Sequence, residues 1–516
     1  MNKNCQLAIV GGGSVAISFL GQFIEHLQKK ETDRYDLRIL LFEPTGIIGQ
    51  GTAYQADLNT NLLNVPARNM SLYDENRNHF VNWLSSLSME ELQDYDIDQI
   101  DGNDFYPRPL FGRYVGEQFT QIVSQANRIG VKIEVVQDSV VKIERQSKRR
   151  VILQDSSGNR YETDRVALCN GNLSSDKFES LLPYERFLNS PYPVAGLLKT
   201  IPEEATVGII GSNLSAIDAI VALMAGGHTG QIHCFSRQGK LPSVRSTRPT
   251  VVKNKMTRTE VVEWVVEHGG SFRLDHIMAK LWKMIHSHSS TVDIHDIQGQ
   301  GENAKAQLDW EIQESVARER PWQAVLASTN DVIDLLWYYL TREEKIKFQK
   351  QYMAQWMSRR SMFPMKNARK IQTLMSKGQL SVHANFQSCQ PQAEGRIFDM
   401  HFRDESHLDR TLQCDFVINA TGFSLNVEKS NDPLVANLLK SGMATASEYG
   451  GLKLDFHTGG LIDAEGKLSE EITVLGSLAR GTYFWTISMD VNARLANEQA
   501  RQAMASISQQ INNVVN

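Results

Sequence analysis

At 516 residues the chain exceeds the length over which one hydrophobic core keeps growing, so two or three domains are expected. A hydrophobic fraction of 41% with 22% charged residues suits a soluble globular protein, and a net charge of −5 gives no electrostatic reason to expect nucleic acid or an anionic membrane as partner. No run of about 18 apolar residues occurs, and MNKNCQLAIV lacks the apolar length of a signal peptide, so a cytoplasmic chain without a membrane span is expected.

Residues 7–10 read as a buried strand, and LAIVGGGSVA (7–16) then breaks into three glycines before a helix over 14–29. A dinucleotide-binding βαβ unit opens this way: glycines admit a pyrophosphate close to the backbone, and the helix start favours its charge. Gly11, Gly12, Gly13, Ser14, Val15 and Ala16 are the candidates for that contact. The next strand, LRILLF (37–42), ends at Glu43, whose carboxylate suits the ribose hydroxyls of an adenosine and would repel a 2′-phosphate. The gap from Gly13 exceeds the usual ~20 residues, and the polar stretch 29–36 takes up the excess.

Residues 49–70 are dense in Gly, Asn and Pro without periodicity, which marks a functional loop. An aromatic helix at 80–84, strands at 131–136 and 140–144, and a hairpin turning at 156–159 lead into RVALCNGN (165–172). That strand ends in small residues and Gly171, which brings the chain back beside a bound nucleotide. A second strand, turn and helix starts at Val207 (VGIIGSNLSAI), with Gly211 in the turn and Asn213 where a middle glycine is usual. Asn tolerates positive φ, which would preserve the turn. The following strand, 231–235, ends in Ser236 and Arg237. A guanidinium fork there suits a 2′-phosphate and favours NADPH over NADH; the plainer alternative is a surface arginine. Two such turns suggest a flavin that takes electrons from a nicotinamide.

From about 250 to 378 the pattern is helical, at 260–268, 276–286, 304–317, 322–340, 343–358 and 367–376. This block holds six of the eight tryptophans (Trp264, Trp282, Trp310, Trp322, Trp337 and Trp356), which makes it the candidate for enclosing a substrate, although each ring alone reads as core packing. His286, His288, Asp293, His295 and Asp296 lack metal-ligand spacing and read as a solvated loop, so no metal is expected. Five scattered cysteines without a CxxC pair read as reduced structural thiols. Strands return at 379–384, 397–402, 416–422 and 472–475, and a helix closes the chain over 492–511. The expected fold is α/β, with two Rossmann-like dinucleotide-binding domains (FAD and NAD(P)H) and a helical insertion. The expected boundaries are 1–202 with 425–516 for FAD, 203–245 with 379–424 for NAD(P)H, and 246–378 for the helical, substrate-enclosing region.

The motifs GGGSVA (11–16), FEP (42–44), GQGTAY (49–54), LLNVPARNMS (62–71), HFVNWL (79–84) and YPRPLFGRY (106–114) carry a further resemblance. It continues in SRQGKLP (236–242), WMSRRSMFP (356–364), INATGF (418–423) and LGSLARGTYFW (475–485). The chain resembles a group of bacterial FAD/NAD(P)-binding proteins that includes FAD-dependent urate hydroxylase and the nitrosuccinate-forming amino-acid N-monooxygenase, relatives of the ornithine and lysine N-hydroxylases. The resemblance implies an NADPH-using FAD monooxygenase that takes O₂ up as a flavin C4a-hydroperoxide and hydroxylates a small polar amine, amino acid or purine-like substrate. The alternatives are a flavin dehydrogenase or oxidase without oxygen insertion, or a catalytically degraded flavoprotein partner. By the same resemblance Gly11, Gly13, Ser14 and Ala16 hold the FAD pyrophosphate and Glu43 its ribose, with Pro44, Gly51, Val140 and Gly171 placed around the same cofactor. Asn64, Val65, Pro66, Arg68 and Met70 lie near the flavin ring, with Asn64, Arg68 and Met70 the candidates beside the chemistry. Gly476, Gly481 and Thr482 close over the flavin. Gly211, Ser212, Asn213, Ser236 and Arg237 bind NADPH, and Thr421 and Gly422 run behind it. Three departures from the group stand out: Asn213, the Cys169-Asn170-Gly171 crossing in place of ATG, and Asn492 where the resemblance leads one to expect an acid.

Overall fold

Residues Leu7 to Val10 are all buried, as a strand covered by helices on both faces requires. The computed structural model describes residues 5–30, 35–147 and 150–515, except the side chains of Cys5 and of 508–515. Within them the chain forms two units: residues up to 56, 65–174 and 424 onward make the first, and 57–64 with 175–423 the second.

The first unit is built on parallel strands in the order Leu468–Val474, Arg160–Leu168, Cys5–Val10, Leu37–Phe42 and Val131–Val136. Gly460–Ile462 pairs antiparallel with Leu468–Val474 at one edge, and the hairpin of Val140–Ser147 and Arg150–Asp155 attaches through Arg160–Leu168. The register sets Leu7 opposite both Ile39 and Arg165, so three strand ends finish level. The helix Ser14–Gln28 packs on the last helix, Met489–Val515: Gln22 Nε2 donates to Ala493 O at 2.9 Å, and His26 Nε2 lies 2.7 Å from Asn497 Oδ1.

The second unit has five parallel strands in the order Leu380–His383, Ile232–Phe235, Val207–Ile210, Phe416–Asn419 and Phe187–Leu188. A separate antiparallel sheet of Phe386–Gln392, Ile397–Arg403 and Asp409–Cys414 packs Phe398, Met400 and Phe402 with Phe187 and Phe235. The fold is α/β with two parallel, Rossmann-like sheets, as expected from the sequence. Among the described residues no helix is long and apolar enough to cross a membrane.

Three expectations need revision. Residues 175–202, expected with the first domain, lie in the second unit, because Phe187–Leu188 pairs with Phe416–Asn419 and helix Val194–Thr200 packs on helix Leu214–Ala225. Residues 246–378 are not separate: Ala304, Leu308, Ile312, Phe363, Ala368 and Ile371 share one core with Val207, Ile209 and Ile418. The single helix expected over 322–340 is broken into Pro321–Ser328, a short turn at Thr329–Asp331, and Ile333–Tyr338. The Thr329 hydroxyl donates to Leu326 O at 2.6 Å, and Val332 leaves helical geometry at φ −137. Residues 343–358 are helical throughout, as expected, with a wider π turn at Phe348–Tyr352 between Arg342–Lys347 and Met353–Arg360.

Candidate dinucleotide-binding sites

The first turn leaves Val10 and reverses at Gly11, where φ is +98 and N–H donates to Phe42 O at 2.9 Å. A Cβ on Gly11 would stand 2.3 Å from Cys169 O, so only glycine fits where the two strand ends converge. Gly12 N–H donates to Glu43 Oε2 at 3.0 Å, and a Cβ on Gly12 would meet Glu43 Cβ at 2.8 Å. Gly13 differs: its φ is −76, and a Cβ there would find only Gly51 Cα, 3.7 Å away. That space lies at the start of helix Ser14–Gln28, which has no side-chain cap, so its first amides remain available to an anion.

Glu43 is 9% exposed and also accepts from Thr45 N and Thr45 Oγ1 at 3.1 and 2.8 Å. Thr45 was missed from the sequence; a hydroxyl two residues after the acid was its only signal. Across the turn, Cys169 N–H donates to Val10 O at 2.7 Å, and Gly171, at φ +79, has nothing within 4 Å of a Cβ position. Asn170 Oδ1 is buried without a partner. An open glycine floor, an uncapped helix start, a buried carboxylate and an unsatisfied acceptor fit the diphosphate and ribose of FAD.

The second turn repeats this geometry. Gly211 N–H donates to Phe235 O at 2.8 Å, Ala420 N–H to Ile210 O at 2.8 Å, and Ile217 N–H to Asn213 O at 3.1 Å, where Ile17 N–H donates to Gly13 O at 3.1 Å. Gly211 has φ +116 and would place a Cβ 2.6 Å from Ala420 O. Gly422, at φ +88, matches Gly171, and Ser236 N–H donates to His383 O at 3.0 Å as Glu43 N–H does to Val136 O. Asn213 needs a corrected explanation: it has φ −89 and ψ −164, like Gly13, so the turn calls for no positive φ there. Its helix also starts without a side-chain cap.

Other candidates are placed less directly. The Ser212 hydroxyl donates to Lys240 O at 2.6 Å, and Thr421 Oγ1 donates to Asn419 Oδ1 at 2.7 Å, so both brace the loops around the turn. Ser236 Oγ accepts from Gly239 N at 3.0 Å, while Arg237 is exposed. In the first unit Pro44 and Gly51 are exposed, and Val140 is buried opposite Asp155. Val65 is half-buried and Pro66 and Met70 are buried, whereas Arg68 is exposed and bonded to Asn103 Oδ1. Asn64 belongs to the second unit, where its carbonyl accepts from Arg245 Nη2 at 2.9 Å. Gly476, at φ +79, places a Cβ position 3.9 Å from Val15 Cγ2, and Ala16 is buried. Gly481 is pressed against Gly450 O and Ser447, and Thr482 beside it is half-buried. Phe484 has φ +64 and ψ −60, and Trp485 N–H donates to Tyr483 O at 2.7 Å: a strained γ-turn that no glycine announces in the sequence.

The histidine-rich loop uses its acids as caps. Asp293 accepts from His295 N and Asp296 N, Asp296 pairs with Arg318, and His286 Nε2 lies 2.9 Å from Val292 O. A cavity of about 210 Å³ in the first unit, lined by Leu7, Arg165, Glu470 and Gln499 among others, includes no residue of the glycine turn.

Residues 8–173 match the family described as FAD-NAD(P)-binding. A stretch of 221 residues is 25% identical to the uncharacterized protein YdhS of Escherichia coli (strain K12), spanning 42% of this chain and 39% of YdhS, well under half of that relative's length. Among solved structures, the reduced form of ornithine hydroxylase from Pseudomonas aeruginosa superposes with a TM-score of 0.60 at 14% identity, over 98% of this chain and 100% of that one. L-Lysine 6-monooxygenase from Pseudomonas syringae gives 0.59 at 14% identity, covering 98% and 99%. An ornithine N-hydroxylase from Kutzneria sp. 744, in a complex with reduced FAD, NADP⁺ and L-ornithine, gives 0.57 at 12% identity, covering 98% and 100%. Residues 8–173 are thus an FAD/NAD(P)-binding domain, set in a fold that this chain shares along nearly its whole length with amino-acid hydroxylases.

Proposed function

We propose that the protein is an FAD-dependent, NADPH-using monooxygenase that hydroxylates a small polar amine, amino acid or purine-like substrate. The observation that carries this reading is the repeated turn. One copy ends its second strand in a buried carboxylate, Glu43, and the other in Ser236 and Arg237. A carboxylate selects ribose hydroxyls, and a guanidinium selects a phosphate monoester, so the two turns divide FAD from NADPH. The fold shared with amino-acid hydroxylases supports oxygen insertion as the use made of the electrons.

In this reading the amides at the start of Ser14–Gln28 bind the FAD diphosphate, and Gly13 leaves room for it. Thr45 and Gly12 hold the Glu43 carboxylate ready for the ribose, and Asn170 Oδ1 gains a donor. The amides at Asn213 and Leu214 take the NADPH diphosphate, with Ser236 and Arg237 at its 2′-phosphate and Gly422 open behind it. Arg68 and Met70 of the first unit remain the residues proposed beside the flavin ring. When bound, the flavin would supply the electron transfer and the oxygen activation.

The test compares NADPH consumed with hydrogen peroxide released in air, for FAD-loaded protein offered amines, amino acids and purines in turn. One class should yield an oxygenated product with consumption matched to product. Complete peroxide recovery with every compound overturns oxygen insertion. Protein without absorbance near 450 nm after reconstitution overturns the flavin assignment as well.

A further inference from the structure

In the second unit, residues 175–178 run along the carboxyl ends of the parallel strands, the side on which open α/β sheets take their ligands. Ser175 Oγ accepts from Asn419 Nδ2 at 3.2 Å, at the end of Phe416–Asn419. Phe178, held at φ +62, places its ring 6.3 Å from Phe386. Phe386 N–H in turn donates to Ser236 O, and Asn385 N–H to Arg237 O, both at 3.2 Å. Lys177 is therefore strung between the end of one strand and the Ser236–Arg237 pair that ends another.

Lys177 and Arg237 are both exposed side chains. Partial desolvation, and then repulsion from the Arg237 guanidinium, lower the Lys177 proton affinity, with Asp176 opposing. Two like charges brought together at a ligand-binding edge are unfavourable until an anion joins them. A phosphate monoester carries roughly −1.5 to −2 at neutral pH, a charge that two cations match and one does not. We infer that Lys177 is a second cation for the adenosine 2′-phosphate of NADPH, acting together with Arg237 to select NADPH over NADH. This rests on the reading of the second turn as the NADPH site. It adds a specificity residue from a segment distant in sequence from the turn.

The test is calorimetric titration of the FAD-loaded protein with NADP⁺, NAD⁺, 2′,5′-ADP and 5′-AMP, for wild type, Lys177→Met, Lys177→Arg and Arg237→Ala. Lys177→Met should weaken NADP⁺ and 2′,5′-ADP about tenfold. NAD⁺ and 5′-AMP should stay within about twofold, since neither carries the 2′-phosphate. Lys177→Arg should keep most of the preference, and an unchanged melting temperature would show each variant folded. If Lys177→Met leaves NADP⁺ affinity intact while Arg237→Ala lowers it, or if NAD⁺ and NADP⁺ weaken equally, Lys177 is not the second cation. If wild type binds NADP⁺ and NAD⁺ alike, the NADPH assignment itself is overturned, and this inference with it.

Discussion

Gly11 and Gly171 both sit at positive φ, yet their surroundings predict unequal costs for a methyl group. At Gly11 the added Cβ meets Cys169 O at 2.3 Å, whereas Gly171 has nothing within 4 Å. Gly171→Ala should therefore cost about 1–2 kcal/mol, the conformational penalty alone. Gly11→Ala must also separate two strand ends, and it should cost at least ~3 kcal/mol and abolish FAD uptake. Denaturant midpoints and 450 nm absorbance per mole of protein read both effects. In the second unit the same scale applies to Glu311, which is 1% exposed and accepts from Arg320, Arg359 and the Ser243 hydroxyl. Burial alone would raise its carboxyl, but Arg359 and Arg320 outweigh burial and hold it below the ordinary range. Glu311→Gln leaves two guanidinium groups buried without a counter-charge and should destabilise by about 3–5 kcal/mol. A loss under about 1 kcal/mol in urea unfolding would show that the arginines find other partners.

Between neighbouring elements, the pairing of Ile232–Phe235 with Leu380–His383 sets His233 Nδ1 3.3 Å from His383 Nε2. Burial, and then the neighbouring imidazole, push His383 down to about 4. The folded chain thus holds His383 neutral while the unfolded chain titrates near 6.5. As pH falls below 6.5 the unfolded state binds the extra proton, so stability is lost progressively toward pH 4. The melting temperature of His383→Gln should fall less over that window than that of wild type; parallel curves would place the imidazole in solvent. Elements of this second sheet also show what a sequence can reveal. Val207–Ile210 and Phe416–Asn419, like Leu37–Phe42 in the first unit, stand out as near-continuous apolar runs because helices or sheet cover both faces. Phe386–Gln392 and Asp409–Cys414 went unseen, since these half-exposed strands on either side of Ile397–Arg403 read as polar. The break at Thr329 was hidden because Leu335, Leu336 and Trp337 continue the apolar pattern beyond it. The glycine turns were legible, since their requirement is steric and local. The reason Asn213 is tolerated was not, because its φ follows from the helix start rather than from residue type. Lys177 carried no signal, its place being set by pairing of Phe187–Leu188 and by contacts at Phe386.

Across the whole molecule, the first unit joins strands Arg160–Leu168 and Leu468–Val474, which residues 175–423 of the second unit separate in sequence. Its stability therefore depends on contacts closed over very long loops, which fold late and gain most from a ligand bound by the assembled state. If FAD binds only the assembled first unit, a hundredfold excess over Kd should add about 2.7 kcal/mol. Each nucleotide should leave its own pattern of amide protection. FAD should slow exchange at residues 11–16, where the helix start gains an anion, and at 169–172, where Asn170 Oδ1 is now unpartnered. NADP⁺ should slow exchange at 211–217, which carry the same uncapped helix start in the second unit, and at 236–239 around Arg237. Hydrogen exchange with each nucleotide alone separates the assignments. Protection of 211–217 by FAD, with 11–16 unchanged, would reverse the roles of the two turns and remove the basis for reading Glu43 as a ribose ligand.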